Sequence, residues 1–202
     1  MRKTFLAALC GAMLSAGLAA PVFAGDRLDN IVGTNTLRVG TPGDYWPFSL
    51  KKDGQFVGHD IELVEEIAAV FGWEVEFVQT SWKTMADDLG NNKFDVVVGG
   101  ITRTPARILF ADFLPAYAPF GKVALVNIKN KDRFKTPEDL NQPDVRVIKN
   151  PGGTNEQYVL THLMKAQVST HDKNFEIPGL IAAGKGDVMI TETAEALQYT
   201  RK

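Results

Sequence analysis

The run Asp95-Val96-Val97-Val98 is apolar without alternation, the pattern of a strand buried on both faces in a parallel sheet. Such a strand needs helices packed around it, and the flanking sequence supplies them. After a polar lead-in, Leu37-Arg38-Val39-Gly40-Thr41 reads as a strand that breaks at Pro42-Gly43. Gly54 and Gly58 bracket a hairpin turn and a short strand. Asp60 is placed to cap a helix in which Ile61, Val64, Ile67, Ala68 and Phe71 share one face, and Gly72 ends it. Glu74-Val75-Glu76-Phe77-Val78 alternates as a strand, and Ser81 caps a short helix reaching Leu89. The order is β-α-β-α-β, hence an α/β lobe.

Gly99-Gly100 stops the apolar run, and Thr104-Pro105 has the chemistry of a helix start, with Arg107 in the first turn. The stretch from Pro115 to Gly121 reads as a crossing, after which Lys122 to Val126 opens a second set of elements. Thr136-Pro137 starts another helix. Then come a strand at Val145 to Ile148, a helix after Glu156, a strand near Val168, a helix near Ile177 to Ala183 and a strand at Asp187 to Ile190. The second set reads as a second α/β lobe, similar to the first in architecture, with no residue-level repeat between the halves. The expected domains are a signal peptide over 1–24, one lobe over 25–118 and another over 119–202.

The signal peptide follows from Arg2 and Lys3, the apolar stretch Phe5 to Leu18, and small residues before a cleavage after Ala24. The mature chain is then exported, and a bacterial periplasm fits. Cys10, the only cysteine, would leave with the leader, so disulfides, thiolate chemistry and cysteine-ligated zinc are excluded. Losing Arg2 and Lys3 from 22 basic residues leaves 20 against 24 acidic ones, a net charge of −4. That balance argues against nucleic-acid binding, and no second apolar run is long enough for membrane insertion. The histidines, His59, His162 and His171, lack metal-ligand spacing, so no metal is implied; phosphate-loop, dinucleotide and nucleophile-elbow motifs are missing, so no cofactor is expected.

Candidate site residues gather in loops after strands, where open α/β sheets bind ligands. The loop Asn150-Pro-Gly-Gly-Thr-Asn-Glu156 precedes a helix with a possible stripe of Tyr158, Leu160, Leu163 and Met164. Gly153, Thr154 and Asn155 suit an anionic group, and a desolvated Glu156 could donate a proton. An ordinary N-cap at Thr154 or Asn155, with Glu156 compensating the dipole, explains the same residues. Arg107, a cation in a first helical turn, asks for an anion; with Thr102 and Thr104 it would clamp a carboxylate, or else it is solvated beside Asp112. Tyr45, Trp46, Phe48 and Trp82 are candidate apolar walls, Tyr45 and Trp82 foremost, although aromatics also fill cores. Glu192, after the last strand, could neutralise an amino group or simply be an exposed acid.

These elements together resemble the type 3 periplasmic solute-binding proteins. The resemblance rests on Leu37 to Gly40, Tyr45-Trp46-Pro47-Phe48, Gly58 with Asp60, Phe94-Asp95, Arg107 with Phe110 to Phe113, and Gly184-Lys185-Gly186-Asp187. It implies a two-lobed "Venus flytrap" (type II) fold closing on a ligand. Tyr45 and Trp82 would be its aromatic contacts, Thr102 and Arg107 its carboxylate-binding positions, Thr154 its second-lobe anion contact and Glu192 its amino-binding acid, and Gly100, Gly153 and Asn155 beside them are expected to touch the ligand as well. Within the family, Thr41 to Ser49, Thr80-Ser81-Trp82, Gln142-Pro143, Asn150 to Glu156, and His171 with Asn174 resemble the cyclohexadienyl dehydratases. That branch implies removal of water and carbon dioxide from prephenate or arogenate, with Glu156 as general acid. The wider family implies instead an amino-acid binder serving an ABC permease. Family members continue beyond a point equivalent to Lys202, so the fold is expected to be truncated at its C-terminus.

Overall fold

The computed structural model describes residues 24–200. The expected signal peptide lies outside the described residues, apart from Ala24. Helix α1 (Ala24–Thr34) occupies what the sequence suggested was a polar lead-in. It is held by Ile31 in the core and by Arg27, whose guanidinium donates to the carbonyl oxygens of Phe94 (2.8 Å) and Leu89 (2.7 Å).

Strands β1 (Thr36–Thr41), β2 (Asp44–Tyr45), β3 (Ser49–Lys52) and β4 (Gln55–Val57) follow, then α2 (His59–Phe71), β5 (Glu74–Gln79), α3 (Met85–Gly90) and β6 (Val96–Val97). The first lobe has a parallel sheet in the order β5-β1-β6 and an antiparallel sheet β2-β3-β4. Leu37 and Val39 face Ile31, Val64 and Ala68 across one side of the parallel sheet. β6 is shorter than its apolar run suggested, and Val96 is 37% exposed. It sits at the sheet edge, where one flank has no neighbouring strand. Gly58 precedes α2, and Asp60 lies within its first turn instead of capping it. The Asp60 carboxylate accepts from the N–H groups of Gly99 (3.0 Å) and Gly100 (2.7 Å), pinning the loop after β6.

The second lobe comprises β7 (Lys122–Val126), α4 (Pro137–Leu140), β8 (Arg146–Lys149), α5 (Thr154–His162), β9 (Gln167–Thr170), α6 (Ile177–Ala182), β10 (Val188–Glu192) and α7 (Thr193–Thr200). Its sheet order is β7-β10-β8-β9, with only β7 antiparallel to its neighbour. Here both faces are covered. Val147, Val188 and Ile190 pack with Val145, Val159 and Leu163 on one side, while Ile148 and Met189 pack with Ile177 and Ile181 on the other. That is why β10 is buried along its whole length. The stripe expected on α5 is different: Leu160 and Met164 are exposed, and Val159 and Leu163 carry the packing.

A residue-level repeat that the sequence did not disclose links the lobes. In the first, Asp95 accepts from Arg38 N (3.0 Å), Nε (3.2 Å) and Nη2 (2.6 Å), and its own N–H donates to Arg38 O (2.9 Å). In the second, Asp187 accepts from Arg146 N (2.9 Å), Nε (3.1 Å) and Nη2 (2.9 Å), and donates to Arg146 O (2.7 Å). Each clasp ties the start of one strand to the residue entering a strand beside it, with the paired charges meeting bidentately.

Candidate functional site

The loops after β1, β5, β6, β8 and β9, together with the end of β10, enclose a small cavity of about 20 Å³, room for one water. Its lining is Tyr45, Trp82, Gly100 and Thr102 from the first lobe and Asn150, Gly153, Thr154, Asn155, Asn174 and Glu192 from the second. The lobes meet tightly here. Gly152, at φ +86°, lies so close to Lys83 that a Cβ would sit 2.5 Å from the Lys83 nitrogen. Gly100, at φ +70°, leaves room for the Phe48 and Tyr45 rings, which a Cβ would approach to 2.6 and 2.7 Å.

Glu192 is the one charged residue in that lining. Its Oε2 accepts from the Tyr45 hydroxyl (2.5 Å), and its Oε1 from the Thr102 hydroxyl (3.1 Å) and the Lys122 ammonium (2.9 Å). Burial pushes this carboxyl up, and the donors outweigh burial and leave it below the ordinary range. Lys122 stands directly across from Glu192 in the β7–β10 ladder. Its Nζ also donates to Thr154 Oγ1 (2.7 Å) and Asn155 Oδ1 (2.5 Å), so all three ammonium protons are used. Burial lowers the Lys122 pKa against the pull of Glu192.

Arg107 is buried behind the cavity wall. The segment after Thr104-Pro105 forms only a 3-10 turn, Arg107–Leu109, so the helix expected to conflict with this cation does not exist. Its Nη1 donates to the Thr102 carbonyl oxygen (2.9 Å), and its guanidinium lies 5.9 Å from the centroid of the Trp82 ring. Among the described residues no carboxylate, Asp112 included, lies within ion-pair distance of it. Burial pushes its pKa down, and Glu192 pulls the other way.

Trp82 Nε1 donates to Asp44 Oδ1 (2.7 Å), and burial raises the Asp44 carboxyl to about 6 despite that bond. Asn174 Nδ2 donates to Glu195 Oε1 (2.7 Å) and more weakly to the Asp44 carbonyl oxygen (3.4 Å). Asn150 and Asn174 each keep a buried Oδ1 without a hydrogen-bond partner. Buried acceptors left empty are costly, and both residues border the cavity.

Eight of the residues singled out from sequence line the cavity: Tyr45, Trp82, Gly100, Thr102, Gly153, Thr154, Asn155 and Glu192. Glu156 does not. Its carboxylate accepts from the Lys149 ammonium and from the Gly152 N–H (2.7 Å), so it ties down the glycine loop from behind. Burial would raise its pKa, but Lys149 and Gly152 hold it below the usual range, as the donors around Glu192 do for that carboxyl. Gly153 is the residue before α5, so neither Thr154 nor Asn155 is its cap. Trp46 stands partly exposed and Phe48 is buried against Tyr45. Sequence reasoning passed over Lys122 altogether; its pairing with Glu192 joins residues 70 apart and leaves no local signal.

The geometry has known counterparts. The family model described as bacterial extracellular solute-binding proteins, family 3, matches residues 37–198. Cyclohexadienyl dehydratase of Pseudomonas aeruginosa is 36% identical over 176 residues, covering 87% of this chain and 66% of its own length. The L-cystine-binding protein TcyJ of Escherichia coli is 31% identical over 201 residues, covering 96% and 74%. Among solved structures, the ancestral amino acid-binding protein AncCDT-1, described as a precursor of cyclohexadienyl dehydratase, superposes with a TM-score of 0.82 at 41% identity, covering 86% of this chain and 77% of that one. An ancestral arginine-binding protein bound to arginine gives 0.75 at 34% identity, covering 83% and 74%. The fold is accordingly the two-lobed α/β type of periplasmic binding proteins, and the chain belongs to the bacterial extracellular solute-binding proteins, family 3.

Proposed function

We propose that the cleft binds a small carboxylate and acts on it as a cyclohexadienyl dehydratase, converting prephenate or arogenate to the aromatic product with loss of water and carbon dioxide. The observation that carries the carboxylate is Arg107, a buried guanidinium 5.9 Å from the centroid of the Trp82 ring with no carboxylate partner among the described residues. A buried cation left uncompensated is costly, and a ligand carboxylate would satisfy it bidentately. Replacing Arg107 with Lys keeps the charge and loses the fork. Prephenate affinity is expected to fall about 10- to 100-fold by isothermal titration, the worth of one charged hydrogen-bond pair. Unchanged affinity would remove Arg107 from the site.

The proton that the departing hydroxyl needs is assigned to Glu192, which lines the cavity, and not to Glu156, which does not. Glu192 is held ionised by Tyr45, Lys122 and Thr102. A dianionic ligand brings negative charge into a dry cavity and competes for Lys122, and both effects raise the Glu192 pKa. Protonated Glu192 then gives its proton to the hydroxyl. The C–O bond breaks, the ring carboxylate leaves as carbon dioxide, and its bonding electrons complete the aromatic ring. The decisive assay is conversion of prephenate to phenylpyruvate in the presence of a chelator. Tight prephenate binding without product would reject the enzyme.

A second reading, an amino-acid binder serving an ABC permease, is favoured by the likeness to cystine- and arginine-binding proteins. The unpaired Oδ1 atoms of Asn150 and Asn174 could also accept from an ammonium. Thermal stabilisation by an amino acid and none by prephenate would decide for it.

A further inference from the structure

We propose that Lys122 is a built-in occupant of the position a ligand ammonium would take, so that the site selects carboxylates lacking an amino group over the matching amino acids. The proposal refines the ligand class of the cleft described above and rests on that cleft being the binding site.

Glu192 is the only carboxylate in the cavity lining, and therefore the group an incoming ammonium would seek. It is already occupied. Three donors converge on its two oxygens, and the cationic one, Lys122, is covalently fixed one strand away in direct register. The other acceptors within reach of Lys122, Thr154 Oγ1 and Asn155 Oδ1, are taken by the same ammonium. Three acceptors around one Nζ is the coordination that a bound amino acid's ammonium would require. A ligand carrying its own ammonium must displace Lys122, lie beside it, or settle for the neutral Oδ1 of Asn150 or Asn174 with no carboxylate to pair with, and it enters a site where Arg107 already repels Lys122. A ligand with a keto group in place of the amine meets no such conflict. With Lys122 already seated on Glu192, a ligand ammonium would add a second cation to the same carboxylate, whereas a keto group adds none.

Prephenate and arogenate are a matched pair, differing only in a keto against an amino group. Isothermal titration of the unmodified protein is expected to give prephenate at least about a tenfold advantage. Lys122→Met keeps the aliphatic stem and removes the charge, leaving Glu192 free for a ligand ammonium. A thermal-shift panel of L-arginine, L-histidine and L-cystine should show no stabilisation of the unmodified protein and clear stabilisation of K122M by at least one of them. Equal affinity for the pair, or stabilisation of the unmodified protein by the amino acids, overturns the proposal whatever the variant does. A folded K122M that gains no amino-acid binding overturns it as well. The enzyme assignment fails separately: a keto-selective protein that yields no phenylpyruvate retains the selectivity of Lys122 and loses the dehydratase.

Discussion

Glu192→Gln is expected to lower the turnover of prephenate by about a hundredfold or more, the usual worth of a positioned general acid. The substitution is nearly isosteric, but the amide keeps a single acceptor oxygen, so of the Tyr45 hydroxyl on Oε2 and the Thr102 hydroxyl on Oε1 one must turn to accept from the new NH2 instead. What it removes is the transferable proton. Lys122 loses its carboxylate partner and becomes more available to an anionic ligand, so affinity for prephenate should hold or improve while the rate collapses. The contrast is Glu156→Gln. A Gln oxygen can accept from the Gly152 N–H or from the Lys149 ammonium but not both, and Lys149 keeps Thr170 Oγ1, so E156Q should lose stability while turnover falls by no more than about tenfold. Steady-state kinetics with each variant separates the two carboxyls. A collapse in E156Q with an active E192Q would reverse their roles.

Stability should fall as pH rises from about 5 to 8, with a slope of about 1.4 kcal/mol per pH unit from one carboxyl and up to about twice that where a second overlaps it. The source is Glu195, fully buried at the base of α7, where it accepts from the Thr191 hydroxyl and Asn174 Nδ2. Burial raises its carboxyl to about 8 against those hydrogen bonds, with Asp44 and Glu192 adding to the rise. Between the ordinary carboxyl value and about 8, the folded chain holds a proton that the unfolded chain has released. Stability present at pH 5 is therefore lost as pH climbs. Asp44, raised to about 6, acts in the same direction over the lower part of that window. The opposite limb belongs to Asp88, which Lys93 and Thr80 hold at about 2; its contribution is lost only as pH falls through that value. On these groups the optimum should lie near pH 4, about where the Asp88 contribution is being lost and the Glu195 and Asp44 window opens. Thermal unfolding followed by circular dichroism across pH 4–9 measures the alkaline limb, and Glu195→Gln should flatten it, because Asn174 can turn its unpaired Oδ1 to accept from the new amide. The same slope in E195Q would place the titration elsewhere.

The fold was legible where a single element carries its own signal. The strand at Leu37 to Thr41, the alternation of Glu74 to Val78 and the cap at Thr136-Pro137 are all local, and each is found where the residues put it. Local signals misled where tertiary contacts decide. Thr104-Pro105 starts a 3-10 turn and no helix, and α1 exists because Arg27 reaches the carbonyls of Leu89 and Phe94, more than 60 residues away. Glu156 looked catalytic because it ends a glycine-rich loop, yet its carboxylate turns back onto that loop. The cavity wall itself was readable, since loops after strand ends converge in this architecture. Lys122 was not, because its meaning comes entirely from the strand that lies beside it.

The paired Arg38–Asp95 and Arg146–Asp187 clasps sit where β1 and β8 begin, and the ligand-facing loops leave from the other ends of the strands. Foundation and mouth are thus separate parts of each lobe. Residues at the mouth can be exchanged for others of different charge or shape while the clasps keep the far ends of β1 and β8 tied to their neighbours. A scaffold divided in this way can change its diet without relearning how to fold.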